Sequence, residues 1–453
     1  MSKIEVNTVE PQCGTTLTLG ASGDTVALGS GAAQTGFGRT GTVDWDTTPK
    51  TGTVTAATGK GYFVNTTSGG ITVNLPAGAA GSIVAVSDYA STAASNPITV
   101  TPNGSEKING TNDNYKIRTA GLAVTLVYVD AVRGWKSVTG SDADATGTAP
   151  AYVAATGGSI TTVCTNYKVH TFTGPGTLCV SNAGNACGSN TIDYMVVAGG
   201  GGGGSNGGGG GAGGFRESVP SPAAWTASPI ANPGGSITAA VSGYAITVGG
   251  GGAGAPSPSP ACGTAGNTST FSTISSAGGG RGGGWGSPSG GAGDGGSGGG
   301  GGMDAPGSPA VLIDGGAGDT PDVTPDQGKP GGQGWHQAGV SSWGGGGGGA
   351  TAAGSNGTPA ENGGNGGTGA TTSINATPTA YAGGGAGRPH TPTSGNGGTG
   401  GGGDAGGPAS PSNAGIAGTT NTGGGGGAGS NVSPYAGAAG GSGIVIVRYK
   451  FQN

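Results

Sequence analysis

The chain is 453 residues long, carries a net charge of −5 and is 8% charged, 32% hydrophobic and 5% aromatic, against about 25% charged and 45–50% apolar for an ordinary globular domain. A large part of it therefore cannot build a conventional side-chain core. The weak acidity, with basic residues scattered along the chain, argues against nucleic acid as a partner, and no run of 18 apolar residues exists to form a membrane-spanning helix. The N-terminus MSKIEVNTVE lacks the apolar core of a signal peptide, so synthesis in a cytoplasm without general secretory export is expected.

Residues 1–45 hold short period-two fragments, TTLTLG (15–20) and DTVALG (24–29), each too short to fold alone. They read as an arm that docks on a larger assembly, or as a loose tail. Residues 46–140 read as one small all-β domain. Candidate strands are GYFVN (61–65), ITVNLP (71–76), GSIVAVSD (81–88), PITVTP (97–102), YKIRT (115–119), LAVTLVYVD (122–130) and GWKSV (134–138). In the second, Ile71, Val73 and Leu75 alternate with Thr72 and Asn74, the pattern of a half-buried strand. The sixth is apolar on both faces and predicts the central strand. Asn103-Gly104 and Asn109-Gly110 supply turns. Seven short strands at this spacing suggest a sandwich or barrel. No α-helical period is evident anywhere in the chain.

Residues 141–158 form a linker of small residues, and residues 159–453 form the last domain. It opens with strands NYKVHTFTG (166–174), GTLCVS (176–181) and TIDYMVVAG (191–199), the second pairing with the first across Gly174-Pro175-Gly176. Between Gly199 and Gly443 lie 87 of the chain's 114 glycines. The chain then closes with GIVIVRYKF (443–451), apolar on both faces apart from Arg448 and Lys450. Such a strand is predicted to pair back onto Thr191–Ala198 and clasp the glycine region at its base, which implies that the region is folded.

Four structures compete for the glycine region. Collagen needs glycine at every third position, and runs of five or six glycines break that period. Calcium-binding β-rolls need an apolar residue after the Asp of each repeat, which GGAGDGGSG (290–298) and GGGGDAGGP (400–408) lack. A flexible linker is the third possibility. The fourth is a bundle of left-handed three-residue helices whose outward N–H and C=O groups bond to neighbouring helices. It predicts glycine runs packed backbone to backbone, outward-facing Cβ atoms and bulky residues in the connections. The sixteen residues from Gly199 would then span roughly 50 Å.

The stretch DYMVVAGGGGGGSNGGGGGAGGFRE, the later YAITVGGGGAG and the closing GGSGIVIVRY resemble the glycine-rich domain of tail fibres and adhesins of tailed bacteriophages, over roughly residues 160–453. Residues 46–140, ending LVYVDAVRGWKSV, resemble a β module of marine-phage tail proteins, and GTTLTLGASGDTVALGSGA resembles a virion-proximal arm. The resemblance implies a receptor-binding tail-fibre protein of the virion, often trimeric, attached through its N-terminus to other tail or baseplate proteins. In the polyglycine-helix adhesins of T-even-like phages, loops at the distal end of a glycine-helix sandwich contact the host receptor, a glycan or an outer-membrane protein. Those adhesins are separate tip proteins, whereas here the region is fused to an N-terminal arm.

An enzyme is not expected. There is no G-x-S-x-G elbow, and His170 lies mid-strand. The acidic loop holding Asp304, Asp314, Asp319, Asp322 and Asp326 reads as solvated, with a calcium site or a catalytic carboxylate pair as alternatives. A tail-spike depolymerase or a purely structural fibre are the rival functions. Cys164, Cys179 and Cys187 lack paired zinc spacing, which leaves free thiols or a Cys179–Cys187 disulfide. No metal or cofactor is expected. Aromatic residues in the connections suit recognition, so Trp225, Trp335, His336, Trp343, Tyr381, His390 and Tyr435 are the candidate receptor-binding residues, and Trp285 serves equally as a cap on the glycine bundle.

Overall fold

The computed structural model describes residues 43–139, 150–257, 261–286, 291–303, 311–337, 341–358, 363–389, 395–407, 413–430 and 436–452. The predicted arm and most of the linker lie outside these residues. The chain divides into two units, 1–148 and 149–453. The described residues are all-β, as predicted, with no helix.

In the first unit all seven predicted strands form, but the pairing differs from a meander. The chain alternates between two sheets for three circuits. Asp44–Lys50, Lys60–Val64 and Ile83–Asp88 lie side by side and parallel in one sheet, and Val54–Thr55, Ile71–Asn74 and Ile98–Thr101 do the same in the other. Tyr115–Ile117, Ala123–Asp130 and Gly134–Thr139 then add antiparallel strands. Alternate residues such as Val64, Val73, Val86, Val100 and Ile117 form one core shared by both sheets. The strand predicted to be central, Ala123–Asp130, lies fourth of five, and its second face is only partly covered, with Val129 49% exposed. Ile83–Asp88 holds the central place instead. Asn109-Gly110 makes its predicted turn, both residues at positive φ (54° and 97°).

The second unit is built on two sheets. One orders Ser159–Val163, Tyr167–Phe172, Ile444–Lys450, Thr191–Val197, Phe215–Val219 and Asn232–Pro233, and the other Val153–Thr156, Gly176–Ala183, Gly243–Thr247, Ser269–Phe271 and Ile274–Ser276. Phe172, Leu178, Tyr194, Val196, Phe271, Val445 and Val447 fill the space between them. The predicted hairpin across Gly174-Pro175-Gly176 does not form. Tyr167–Phe172 pairs instead with the C-terminal strand, and Gly176–Ala183 crosses to the second sheet. The C-terminal strand pairs on its other side with Thr191–Val197, from Val197↔Ile444 to Asp193↔Arg448, so the predicted clasp is present. Its double apolar pattern has a physical cause, because both of its faces are buried. Val445 and Val447 face the second sheet, and Ile444 and Ile446 face Ala212, Ala350, Ala370 and Tyr381 of the glycine region.

From Ala198 the chain runs away from this sheet, reverses at Ser205-Asn206 and returns to Phe215. Asn206 takes φ +50° there, a conformation Asn tolerates better than most residues. The sixteen-residue run is therefore two antiparallel tracts and not one 50 Å rod.

Bonding along the outgoing tract repeats every three residues. The N–H groups of Gly199, Gly202 and Ser205 donate to the carbonyls of Asn267, Thr264 and Ala261. Those of Gly200 and Gly203 donate to Gly441 and Ala438, and those of Gly201 and Gly204 to Gly211 and Gly208, all at 2.8–3.0 Å. The carbonyls of Gly199 and Gly202 accept from Gly279 and Gly282, those of Gly200 and Gly203 from Gly252 and Ala255, and those of Gly201 and Gly204 from Gly426 and Gly429. One tract is thus bonded to six neighbours, and the buried peptide groups that side chains cannot satisfy are satisfied by one another.

Glycine is required here by space. No glycine from Gly199 to Gly214 has positive φ. Yet a Cβ added at any position from Gly199 to Gly204 would lie 2.0–2.2 Å from a neighbour's carbonyl oxygen. The expectation that every Cβ faces outward needs one correction. Ala212, Ala350 and Ala382 are fully buried where the tracts meet the sheet, and Ala386 and Ala428 are fully buried within the bundle. A methyl group is tolerated at these places.

Candidate functional site

Two regions of the second unit gather its bulky and charged side chains, one against the sheet and one at the far end of the tracts. At the sheet, the guanidinium of Arg448 lies between the rings of Tyr167 and Trp225, 4.4 and 4.7 Å from their centroids. Its Nη1 donates to the carbonyl of Ile374 at 2.9 Å. Asp193 stands opposite Arg448 in the strand pair and accepts from Ser218 Oγ at 2.9 Å and Ser236 Oγ at 2.6 Å. Burial pushes its carboxyl above the usual range despite those bonds. Glu217 accepts from Trp225 Nε1 and the backbone N–H of Ser228, each at 3.0 Å, and from Thr372 Oγ1. All three charges are buried and each has hydrogen-bond or ring partners, although Arg448 Nε has none; such a network stabilises to the extent that it is satisfied.

Two candidate recognition residues belong to this network and not to an exposed connection. Trp225 is half-buried on Arg448, and Tyr381 is 4% exposed in the cluster beneath the sheet. Burial also raises the Tyr381 hydroxyl pKa. Both were candidates because they interrupt glycine segments. Those interruptions turn at the sheet end, where aromatic mass fills the base.

The far end is different. Val311–Ile313, Gly334–Gln337 and Ser341–Trp343 form a small antiparallel sheet, with Leu312 opposite Trp335 opposite Trp343, and Val311 opposite His336 opposite Ser342. Trp335, His336 and Trp343 are thus brought together. His336 Nδ1 bonds Ser342 Oγ at 2.8 Å. Val311 and Leu312 are 38% and 47% exposed, while Trp343 is buried.

Arg388 joins this sheet to the first turn of the tracts. Its N–H donates to Gly207, its carbonyl accepts from Gly344, and its Nη1 reaches Ser342 O and Met303 Sδ, both at 3.1 Å. Burial lowers its pKa to about 10. Sequence reasoning missed Arg388. The signal was available, since it is a charged residue directly ending the run AGGGAG (382–387). Trp285 forms a bridge with Met303 beside this group. His390, Tyr435 and Asp304 lie outside the described residues.

The other chemical candidates are absorbed by structure. His170 is fully buried and bonds Gly157 O at 2.7 Å and Tyr449 Oη at 2.9 Å, and burial lowers its pKa. Asp319 shapes its own loop by accepting from the N–H groups of Gln327 and Val323. Asp326 pairs with Lys329 at 2.6 Å. Among the described residues no three His, Cys, Asp or Glu side chains form a metal-binding group, and Cys164, Cys179 and Cys187 form no disulfide.

Among curated proteins none matches the chain. The model of a glycine-rich domain family does match, over residues 173–450. That span starts between Tyr167–Phe172 and Gly176–Ala183, covers every glycine tract and ends on the clasping strand, so the chain belongs to the glycine-rich domain family.

Proposed function

We propose that the protein is a receptor-binding tail-fibre protein of a tailed bacteriophage, without enzymatic activity. In this reading the glycine tracts are left-handed polyglycine-II-type helices, which turn once every three residues. The single observation that carries the reading is the three-residue rotation of hydrogen bonds from one tract to six neighbours. The interior of such a lattice presents few side chains. Outer tracts carry isolated ones such as Arg281 and Ile416, and the bulky residues gather at the two ends, one of which the sheet already covers. The far-end connections are then the surface left for host recognition, with half-buried Trp335 as the candidate within reach of a ligand, while His336 and Trp343, 5% and 4% exposed, support it from beneath. His390 and Tyr435, outside the described residues, remain candidates.

The N-terminal arm would attach the protein to other tail or baseplate proteins in the virion, as part of a homotrimer. The test is adsorption of the purified, labelled full chain to host cells and its competition with intact phage. Saturable adsorption that blocks infection supports the reading. Release of oligosaccharide from host polysaccharide would instead make the protein a depolymerase, and a failure to adsorb would leave a structural fibre.

A further inference from the structure

Among the described residues, the far end of the tracts holds a buried cation with no anion paired to it. Arg388 is only 5% exposed. Both acceptors of its guanidinium, Ser342 O and Met303 Sδ, are neutral, and its Nε has no hydrogen-bond partner. None of the ion pairs among the described residues involves it. A lone buried charge is unfavourable by several kcal/mol unless it is compensated, and proteins normally compensate it. Arg448, equally buried and with its Nε likewise unpartnered, differs in lying between two aromatic faces and opposite Asp193. Nor is Arg388 isolated in lacking partners. Trp335 Nε1 and His336 Nε2, in the strand beside Ser342, are buried and unpartnered. So is Asn206 Oδ1, in the turn next to Gly207, which accepts the Arg388 N–H.

We propose that Arg388 is an anion-binding residue, and that its ligand is the acid group of an acidic surface glycan. A guanidinium presents its donors in a planar fork that matches a carboxylate or a phosphate. The small sheet beside it offers the apolar surface a sugar ring needs, through half-buried Trp335 and exposed Leu312, which are opposite each other. This inference rests on the receptor-binding reading and names the chemistry of the receptor.

The experiment uses the full chain in a buffer free of phosphate and carboxylate. Thermal unfolding is followed while inorganic phosphate, glucuronate or glucose is added at constant ionic strength. One of the two acids raises the unfolding midpoint saturably and glucose does not, and the acid that acts identifies the group. Arg388→Met abolishes the shift. Arg388→Lys, which keeps the charge but loses the fork, weakens it, so the conclusion does not depend on one variant folding. In cell adsorption, Arg388→Met lowers binding at least about tenfold and the active acid competes with wild type.

The proposal is overturned if neither acid moves the midpoint while Asp304→Asn lowers it as much as Arg388→Met does, because the counter-ion is then internal. Wild-type adsorption that is unchanged by Arg388→Met and by both acids removes the anion site and leaves the adhesin reading standing. A midpoint shift without any adsorption removes the glycan assignment together with that reading.

Discussion

Val196 and Gly202 are both fully buried in the second unit, a few residues apart on one chain. Val196 sits among Phe271, Val445 and Val447 in the sandwich. Gly202 sits among the carbonyls of Ala253 and Thr264 and the N–H of Gly282 in the tracts. The first position gains about 1.5–3 kcal/mol from removing a side chain from water. The second gains only about 0.5–1.5 kcal/mol net from each hydrogen bond, and glycine loses more conformational freedom on folding than any other residue. A backbone lattice is therefore stable only when nearly all of its bonds are made at once. A side-chain core loses stability by degrees as atoms are removed. The lattice also needs a border, and the sandwich supplies it. The C-terminal strand packs valines into the sandwich and isoleucines against the tracts.

That strand is the place to break the comparison hardest. A chain ending at Gly443 loses the middle strand of the first sheet, and both cores of the second unit should fail together. Limited proteolysis should then leave only a fragment covering the first unit. A truncated chain whose glycine region resists protease would mean that the lattice stands without its border.

Within the lattice, Gly202→Val places a Cβ 2.0 Å from Ala253 O. It is expected to cost about 3 kcal/mol or more in denaturant unfolding, the upper range for overpacking. Leu178→Ala, in the sandwich core, should cost about 2–5 kcal/mol and leave the tracts protected in hydrogen exchange. If the two substitutions produce the same exchange pattern, the two cores are one cooperative unit.

A smaller effect follows from His170. Its folded pKa lies below the ordinary value because burial favours the neutral ring. The unfolded chain then binds the proton first. Stability is full above the ordinary pKa of about 6.5 and is lost as pH falls from there toward the folded value. Unfolding midpoints between pH 7 and pH 5 should show that slope, and His170→Gln should flatten it. Burial raises the pKa of Asp193, which acts in the opposite sense: its neutral form is the favoured one, so its contribution grows as pH falls toward the carboxylate range.

The smallest effect is the sharpest control on the glycine argument. Gly250 has no atom nearer than 3.7 Å to an added Cβ, and its φ is not positive. Gly250→Ala should stabilise by about 0.4–1 kcal/mol through the unfolded chain, measured in the same denaturant series as Gly202→Val. A loss at Gly250 as large as that at Gly202 would show that composition, and not close approach, governs the tracts.

Strand positions were legible because they depend on local alternation. All seven candidates in the first unit form, and the double apolar face of Ile444–Tyr449 reported its burial on both sides. The partners of those strands were not legible. Nothing in ITVN or PITVTP distinguishes parallel from antiparallel pairing, and nothing in Gly174-Pro175-Gly176 shows that Tyr167–Phe172 is taken by a strand from the end of the chain. The same holds for the candidate site. Trp335, His336 and Trp343 could be chosen from their place between glycine runs. Trp225 and Tyr381 satisfied that criterion equally well but face the sheet, because a connection's sequence does not say which end of a tract it joins.

On its own, then, the sequence determined that this region, if folded, is cored by backbone, since 87 glycines in one stretch leave too few side chains to fill an interior. It also determined that a terminal strand must close it. The tertiary structure alone decided that Gly199–Gly214 folds in two, which six neighbours its outgoing tract bonds, and that Arg388 is buried without a counter-ion among the described residues. Each of those depends on which carbonyl lies within about 3 Å of which N–H, and glycine, having no side chain, carries no mark of its neighbour.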